Sequence, residues 1–174
     1  EVSYNVIAVP GMNNTSLNNK LVDNTAERAD ALAVIDYVGG YVPPAESLYV
    51  GTTATNGNVN TYITNRKSVG TNSSYAATYF PWVKVRDNVN SADIWVPPSV
   101  VALGAMSYTD RVQAPWFAPA GFNRGGLSSG VSGLPVVSTA LKLFKDDRDD
   151  LYEAGINPIA TFPNEGVVIF GQKT

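Results

Sequence analysis

The chain predicts an α/β fold, with α+β as the alternative: a mixed β-sheet flanked by helices in two or three layers. Three observations carry this. The first 36 residues read strand, helix, strand; a nearly all-apolar helix is expected over 100–111; and two short strands around a turn follow near residue 160. At 174 residues, a single α/β domain over 1–174 with its own core is the expectation, needing neither disulfide nor metal to stand.

Residues 4–9 are β-prone and stop at Pro10-Gly11, which reads as a buried strand and a turn. From Thr15 or Ser16 as N-cap, Leu17, Leu21, Thr25 and Ala29 recur every four residues, with Lys20, Asp23 and Glu27 opposite them. That spacing predicts an amphipathic surface helix. Arg28 falls beside Leu17 and Leu21 on the inner face and is expected to reach a carboxylate such as Asp36, or to snorkel. The apolar run 31–36, "ALAVID", reads as a strand covered on both faces, which completes a βαβ unit with a right-handed crossover.

Residues 39–57 hold Pro43-Pro44 and a Gly/Thr/Asn cluster, so 37–75 reads as a loop-rich connection or the place of an insertion. Within it Val59, Tyr62, Ile63 and Arg66 fit a short helix. "YAATYFPWVKV" is aromatic and β-prone, but Pro81 limits it to an edge, a bulge or a strand break. "ADIWVPPS" ends a strand at Pro97-Pro98, and Ser99 is placed to cap the next helix. That helix, apolar nearly all round and carrying Ala102, Gly104 and Ala105 for close approach, is expected to pack on more than one side. Residues 136–144 read as a strand. "KDDRDDLYEAG" reads as a short helix whose first turn is acidic and whose stop is Gly155. "INPIATFP" and "GVVIFG" are two strands joined through Asn164-Glu165-Gly166.

Composition excludes much chemistry. There is no cysteine, so disulfides, thiolate catalysis and Cys-ligated metals are out; there is no histidine, so the commonest general base, the commonest zinc ligand and every Ser-His or Cys-His triad go too. A net charge of -3 argues against nucleic acid and against an anionic membrane surface, both of which need a basic face. No run approaches the ~18 apolar residues of a membrane span, and no charged-then-apolar leader is read before the first strand. Both ends read as cut from something longer. With 44% hydrophobic and only 16% charged residues, against about 25% charged in ordinary soluble domains, the surface is suited to contact with other protein.

The remaining motifs carry no cofactor or metal site. "RGGLSSGVSG" lacks both phosphate-loop patterns and reads as a flexible loop. Asp146, Asp147, Asp149 and Asp150 lack the glycine and glutamate of a calcium loop, and Asp146 or Asp147 is expected to cap its helix instead. With no histidine to serve as its base, no nucleophile elbow can be completed, and no S-x-x-K spacing is present. A pair of carboxylates for a hydrolase would have to come from Asp36, Asp93, Asp110, Glu153 or Glu165, and nothing in the spacing places two of them across a cleft.

One stretch does stand out. In "RVQAPWFAPAGFNRGGL", Ala114 and Ala118 both precede proline, which predicts a stiff, pre-ordered ribbon carrying Trp116 and Phe117 and followed by Arg124. These residue types are enriched at the centres of protein interfaces, though aromatic rings equally fill cores. Arg124 is expected to bond main-chain carbonyls or a carboxylate and so fix the loop.

The same stretch, with "SSYAATYFPWVKVRD", "IWVPPSVVALGAMSYTDR", "RDDLYEAGINPIATFPNEGVVIFGQKT", "NVIAVPG" and "AERADALAVID", closely resembles the tail sheath subunits of contractile bacteriophages over nearly the whole chain. The resemblance implies a structural subunit of the virion, without cofactor or enzymatic activity, that polymerises with identical copies around a tail tube. It implies contraction that drives the tube through the host envelope, with baseplate and tail terminator proteins as further partners and assembly in the host cytoplasm. A sheath of a phage-tail-like bacteriocin or secretion device is the near alternative; the "PWVKV" and "GINPI" matches favour phage or bacteriocin over type VI secretion. It also implies protruding domains and terminal arms outside this stretch. Trp116, Phe117 and Arg124, with Trp82, Trp95 and Arg28, are the candidate assembly or structural residues.

Overall fold

The computed structural model describes residues 3–37, 39–40, 58–68, 74–114 and 116–174. In chain order these form β1 (Val6–Ala8), α1 (Thr15–Arg28), β2 (Leu32–Ile35), α2 (Val59–Ser68), β3 (Ala76–Phe80), β4 (Val83–Asp87), β5 (Ala92–Val96), α3 (Pro98–Val112), β6 (Val136–Thr139), α4 (Lys145–Glu153), β7 (Asn157–Phe162) and β8 (Gly166–Ile169). The loop expected over 39–57 lies, from 41 on, outside the described residues.

Two sheets result. The larger has the order β1-β2-β3-β7-β8, parallel from β1 to β7, with β8 returning antiparallel through a hairpin whose turn uses Asn164 (φ 70°) and Gly166 (φ 73°). The smaller is antiparallel, β5-β4-β6. The mixed α/β expectation therefore holds, and the layers number three.

Period-two alternation explains the layering. On β2, Val34 points into one cluster and Ala33 and Ile35 into another; on β3, Ala77 and Tyr79 oppose Ala76 and Phe80 in the same way. The first cluster joins the sheet to Val101, Ala102 and Ala105 of α3 and to Val83, Val85 and Val136 of the smaller sheet. The second joins it to Val22 of α1, Tyr62 of α2 and Leu151 of α4. Each buried aliphatic side chain contributes about 1.5–3 kcal/mol, so the large sheet is held from both faces.

Several boundaries differ from the sequence reading, each for a physical reason. The α1 N-cap is Asn14, not Thr15 or Ser16: its carboxamide accepts the Leu17 N–H at 3.1 Å. The buried stripe of α1 is Asn18, Val22 and Thr25, one position on from Leu17, which is 44% exposed. Two of those three are polar and hydrogen-bonded inside: Asn18 donates to the Asp36 carbonyl at 2.9 Å, and the Thr25 hydroxyl to the Val22 carbonyl at 2.8 Å. Arg28 does not reach Asp36. It pairs with Asp30 at 2.9 Å, two residues on, and lies 4.2 Å over the Tyr4 ring.

Pro81 makes a strand break. The chain leaves Phe80 in one cluster and re-enters at Val83 in the other, so the β-prone run divides between the two sheets. The α3 N-cap is Pro97 with Pro98 in the first turn, and Ser99 is not the cap: its hydroxyl turns inward to Asp36 at 2.7 Å. The strand expected over 136–144 stops at Thr139, because Leu143 crosses to the second cluster and Phe144 becomes the N-cap position of α4. Asp147 accepts the Phe144 N–H at 2.9 Å from inside the helix, so neither Asp146 nor Asp147 occupies the cap itself. Gly155, at φ 76°, supplies the expected left-handed stop.

Candidate interaction surface

The glycines of "RGGLSSGVSG" pack instead of flexing. Leu127 N–H donates to the Val167 carbonyl at 2.8 Å, Ile169 N–H to the Gly125 carbonyl at 2.8 Å, and Gly126 bridges Val168, so the stretch covers the outer side of β8. A Cβ on Gly125 would stand 2.6 Å from the Ile169 carbonyl oxygen, which is why glycine is needed there. With that margin sealed, β1 is the edge of the large sheet that no strand beyond β2 pairs among the described residues.

In the ribbon before it, Phe117 N–H donates to the Ala114 carbonyl at 3.0 Å. Trp116 is 81% exposed, and its ring lies 6.4 Å from that of Phe117 at an interplanar angle of 30°. Arg124 donates from Nε to the Ala118 carbonyl at 2.9 Å and lays its guanidinium 4.8 Å over the Phe117 ring. Indole, phenyl and guanidinium therefore form one short stack on the surface, pinned by a main-chain bond. Trp116 does not fill the core.

Phe117 also lines a cleft of about 630 Å³ whose other walls include Val6, Leu32 and Tyr79 of the sheet and Leu103 and Met106 of α3. Asp110 is the acidic residue in that lining and Lys173 the basic one. Lys173 belongs to a short tail that Asn157 holds: the carboxamide donates to the Lys173 carbonyl at 2.8 Å and to the buried Thr78 carbonyl at 3.1 Å, and accepts the Lys173 N–H at 2.6 Å. Lys173 Nζ further donates to the Tyr152 carbonyl at 2.7 Å and lies over its ring.

The other predicted residues are not brought to this stack. Trp82 is half-buried beside Gly40, where a Cβ would stand 3.0 Å from the indole, and its carbonyl accepts the Ala140 N–H at 2.8 Å. Trp95 sits on β5 opposite Lys84, whose Nζ is 5.0 Å from the ring centroid. Arg28 is at the end of α1. A second aromatic group was not read from the sequence: Phe122, Phe162 and Phe170 meet with centroids 5.0 to 5.8 Å apart, and Arg148 covers Phe162 at 5.3 Å. They come from three separate segments, and only the hairpin topology gathers them.

No group of three or more acidic residues stands together to hold a metal ion among the described residues. Of the acids considered for hydrolysis, Asp36 is buried against Gly11 and Ser99, Asp93 pairs with Arg86 at 3.1 Å, and Glu153 and Glu165 are on the exposed surface. Asp110 stands alone in the cleft lining among acids, so no carboxylate pair faces across it among the described residues. Among the described residues, what the geometry offers is stacking and shape.

A family model described as the phage tail sheath protein central domain matches residues 1–174. The tail sheath protein of Vibrio phage KVP40 is 43% identical over 88 residues, 51% of this chain and 12% of that protein. That of Enterobacteria phage T4 is 35% identical over a stretch of the same coverage, and that of Salmonella phage ViI is 28% identical over 154 residues, 88% of this chain and 22% of its own length. The chain thus matches less than a quarter of each relative. Among solved structures, the anti-feeding prophage helical sheath in its contracted state superposes with a TM-score of 0.64 at 21% identity, covering 98% of this chain and 39% of the other; the baseplate of the same particle gives 0.65 at the same identity. That likeness shows the fold.

Proposed function

Because the chain belongs to the phage tail sheath protein family, matching its central domain over residues 1–174, we propose that it is the shared body of a contractile sheath subunit. Identical copies stack around a tail tube, and contraction shortens the stack and drives the tube through the host envelope. The observation that carries this is the family match over all 174 residues. The physical form suits it: three layers packed from both faces make a stiff unit, while the open β1 margin and the Trp116–Phe117–Arg124 stack offer contacts outward. Contraction is then a change between two packings of rigid bodies, its free energy stored in the interfaces between copies.

The role is structural. Partners are the identical subunits, the tube protein, and the baseplate and terminator proteins at the two ends; the place is the virion tail, with assembly in the host cytoplasm. Negative-stain imaging and sedimentation of the full-length subunit, alone and with tube protein, test the proposal. Sheathed tubes or helical polymers are expected. A full-length protein that stays monomeric under both conditions overturns it.

A further inference from the structure

Asp36 follows β2 directly and is 2% exposed. Its two oxygens are treated unequally. Oδ2 accepts the Gly11 N–H at 2.9 Å and the Ser99 hydroxyl at 2.7 Å, whereas Oδ1 is buried and has no hydrogen-bond partner among the described residues. The Asp36 carbonyl accepts the Asn18 carboxamide at 2.9 Å. One residue thus ties together the turn after β1, α1, the end of β2 and the first turn of α3. Among the described residues, the groups that face it are main chain from the turn, an amide from α1, the Ser99 hydroxyl and main-chain N–H from α3 and, from α2, the titratable phenol of Tyr62.

Two effects compete over its charge. The donors at Oδ2 favour the carboxylate; enclosing a bare, undonated oxygen disfavours it strongly. Since Oδ2 already accepts two bonds, the free lone pairs that can take a proton are at Oδ1.

We propose that Asp36 is a proton-operated latch: with a proton on Oδ1 it closes the joint between the β1–α1 turn and the N-terminus of α3, and losing that proton to water opens the joint. Burial pushes the Asp36 carboxyl above the ordinary carboxylate range, outweighing the Gly11 and Ser99 donors that act the other way. A raised acid stabilises the fold in its neutral form. That contribution is full below the ordinary carboxylate pKa of about 4 and is lost as pH climbs through the raised folded value.

Side-chain carboxyl NMR across a pH series, with hydrogen exchange at the Gly11 amide, tests this on the unmodified chain. Asp36 is expected to titrate above the ordinary carboxylate value, in the direction its burial sets. Over the same interval Gly11 protection, corrected for intrinsic exchange, falls about tenfold per pH unit. Asp36→Asn, the neutral isostere, keeps its Gly11 protection constant over that interval. Titration at or below the ordinary value overturns the latch, as does unchanged Gly11 protection while Asp36 ionises, or an Asp36→Asn profile identical to the parent's. Should the variant fail to fold, the two measurements on the parent still decide.

Discussion

Replacing Gly104 by alanine pits two effects of opposite sign against each other. In the interior of a helix the change gains about 1 kcal/mol from propensity and reduced unfolded-state entropy. In α3, however, the new Cβ runs into the Ser132 carbonyl oxygen and stands 2.8 and 2.9 Å from that residue's carbonyl carbon and Cα. All three are main-chain atoms, so no side chain can swing away; the turn after Leu127 must shift, and with it the seal over β8. Overpacking against backbone lies at the upper end of the usual range, about 3 kcal/mol, so the net loss is about 2 kcal/mol once the propensity gain is subtracted. For a domain of this size that lowers the melting temperature by roughly 4–8 °C. Thermal unfolding followed by circular dichroism reads it directly. A Gly104→Ala chain as stable as the parent, or more so, refutes the close approach of α3 to the 128–133 segment.

Trp116→Ala is expected to change the stability of the folded chain by less than about 0.5 kcal/mol, since the indole is 81% exposed, while weakening polymerisation of the full-length subunit in sedimentation; normal tubes at normal concentration would remove the indole from the interface. Asn157→Ala deletes three hydrogen bonds, one of them to the buried Thr78 carbonyl, for a loss of about 2–4 kcal/mol in urea denaturation, and the Lys173 amide should lose its exchange protection; an unchanged Lys173 amide would show that this segment is held by other means. At alkaline pH, burial pushes Tyr79 up to about 12 and, with the Asp36 charge adding, pushes Tyr62 higher still. The fold favours the neutral phenols, so their contribution is full below the ordinary tyrosine value of about 10 and falls as pH rises through the folded values. Phenolate absorbance and ellipticity should therefore change together, and free titration of these two rings in a chain that remains folded would contradict their burial.

The sequence made the local and periodic features legible. The βαβ start, the hairpin at Asn164–Gly166, the α4 stop at Gly155 and the Trp116–Phe117–Arg124 neighbourhood are all written within a few consecutive residues. It misled where polarity is satisfied inside the fold. Leu17 looks like core and Asn18 like surface, yet the Asp36 carbonyl makes Asn18 the buried one, and hydropathy has no term for that partner. The same blindness assigns Ser99 to a cap; Arg28 does find a carboxylate, but it is Asp30, within short reach, and not Asp36. Pro81 marks the break at 80–83, but the strand length failed at 139–143, where the chain passes from one cluster to the other, because a crossing between layers leaves no periodic signature. The Phe122, Phe162 and Phe170 group was hidden for a related reason: its members are neighbours only after the hairpin forms.

The glycine cover over β8 gives the larger sheet a direction. With one flank closed by the molecule's own backbone and the other unpaired beyond β1 among the described residues, copies zipped flank to flank through this sheet would have to displace that cover. A strand that extends the larger sheet joins it at β1. A sheet blunted on one flank in this way is guarded against open-ended edge-to-edge pairing.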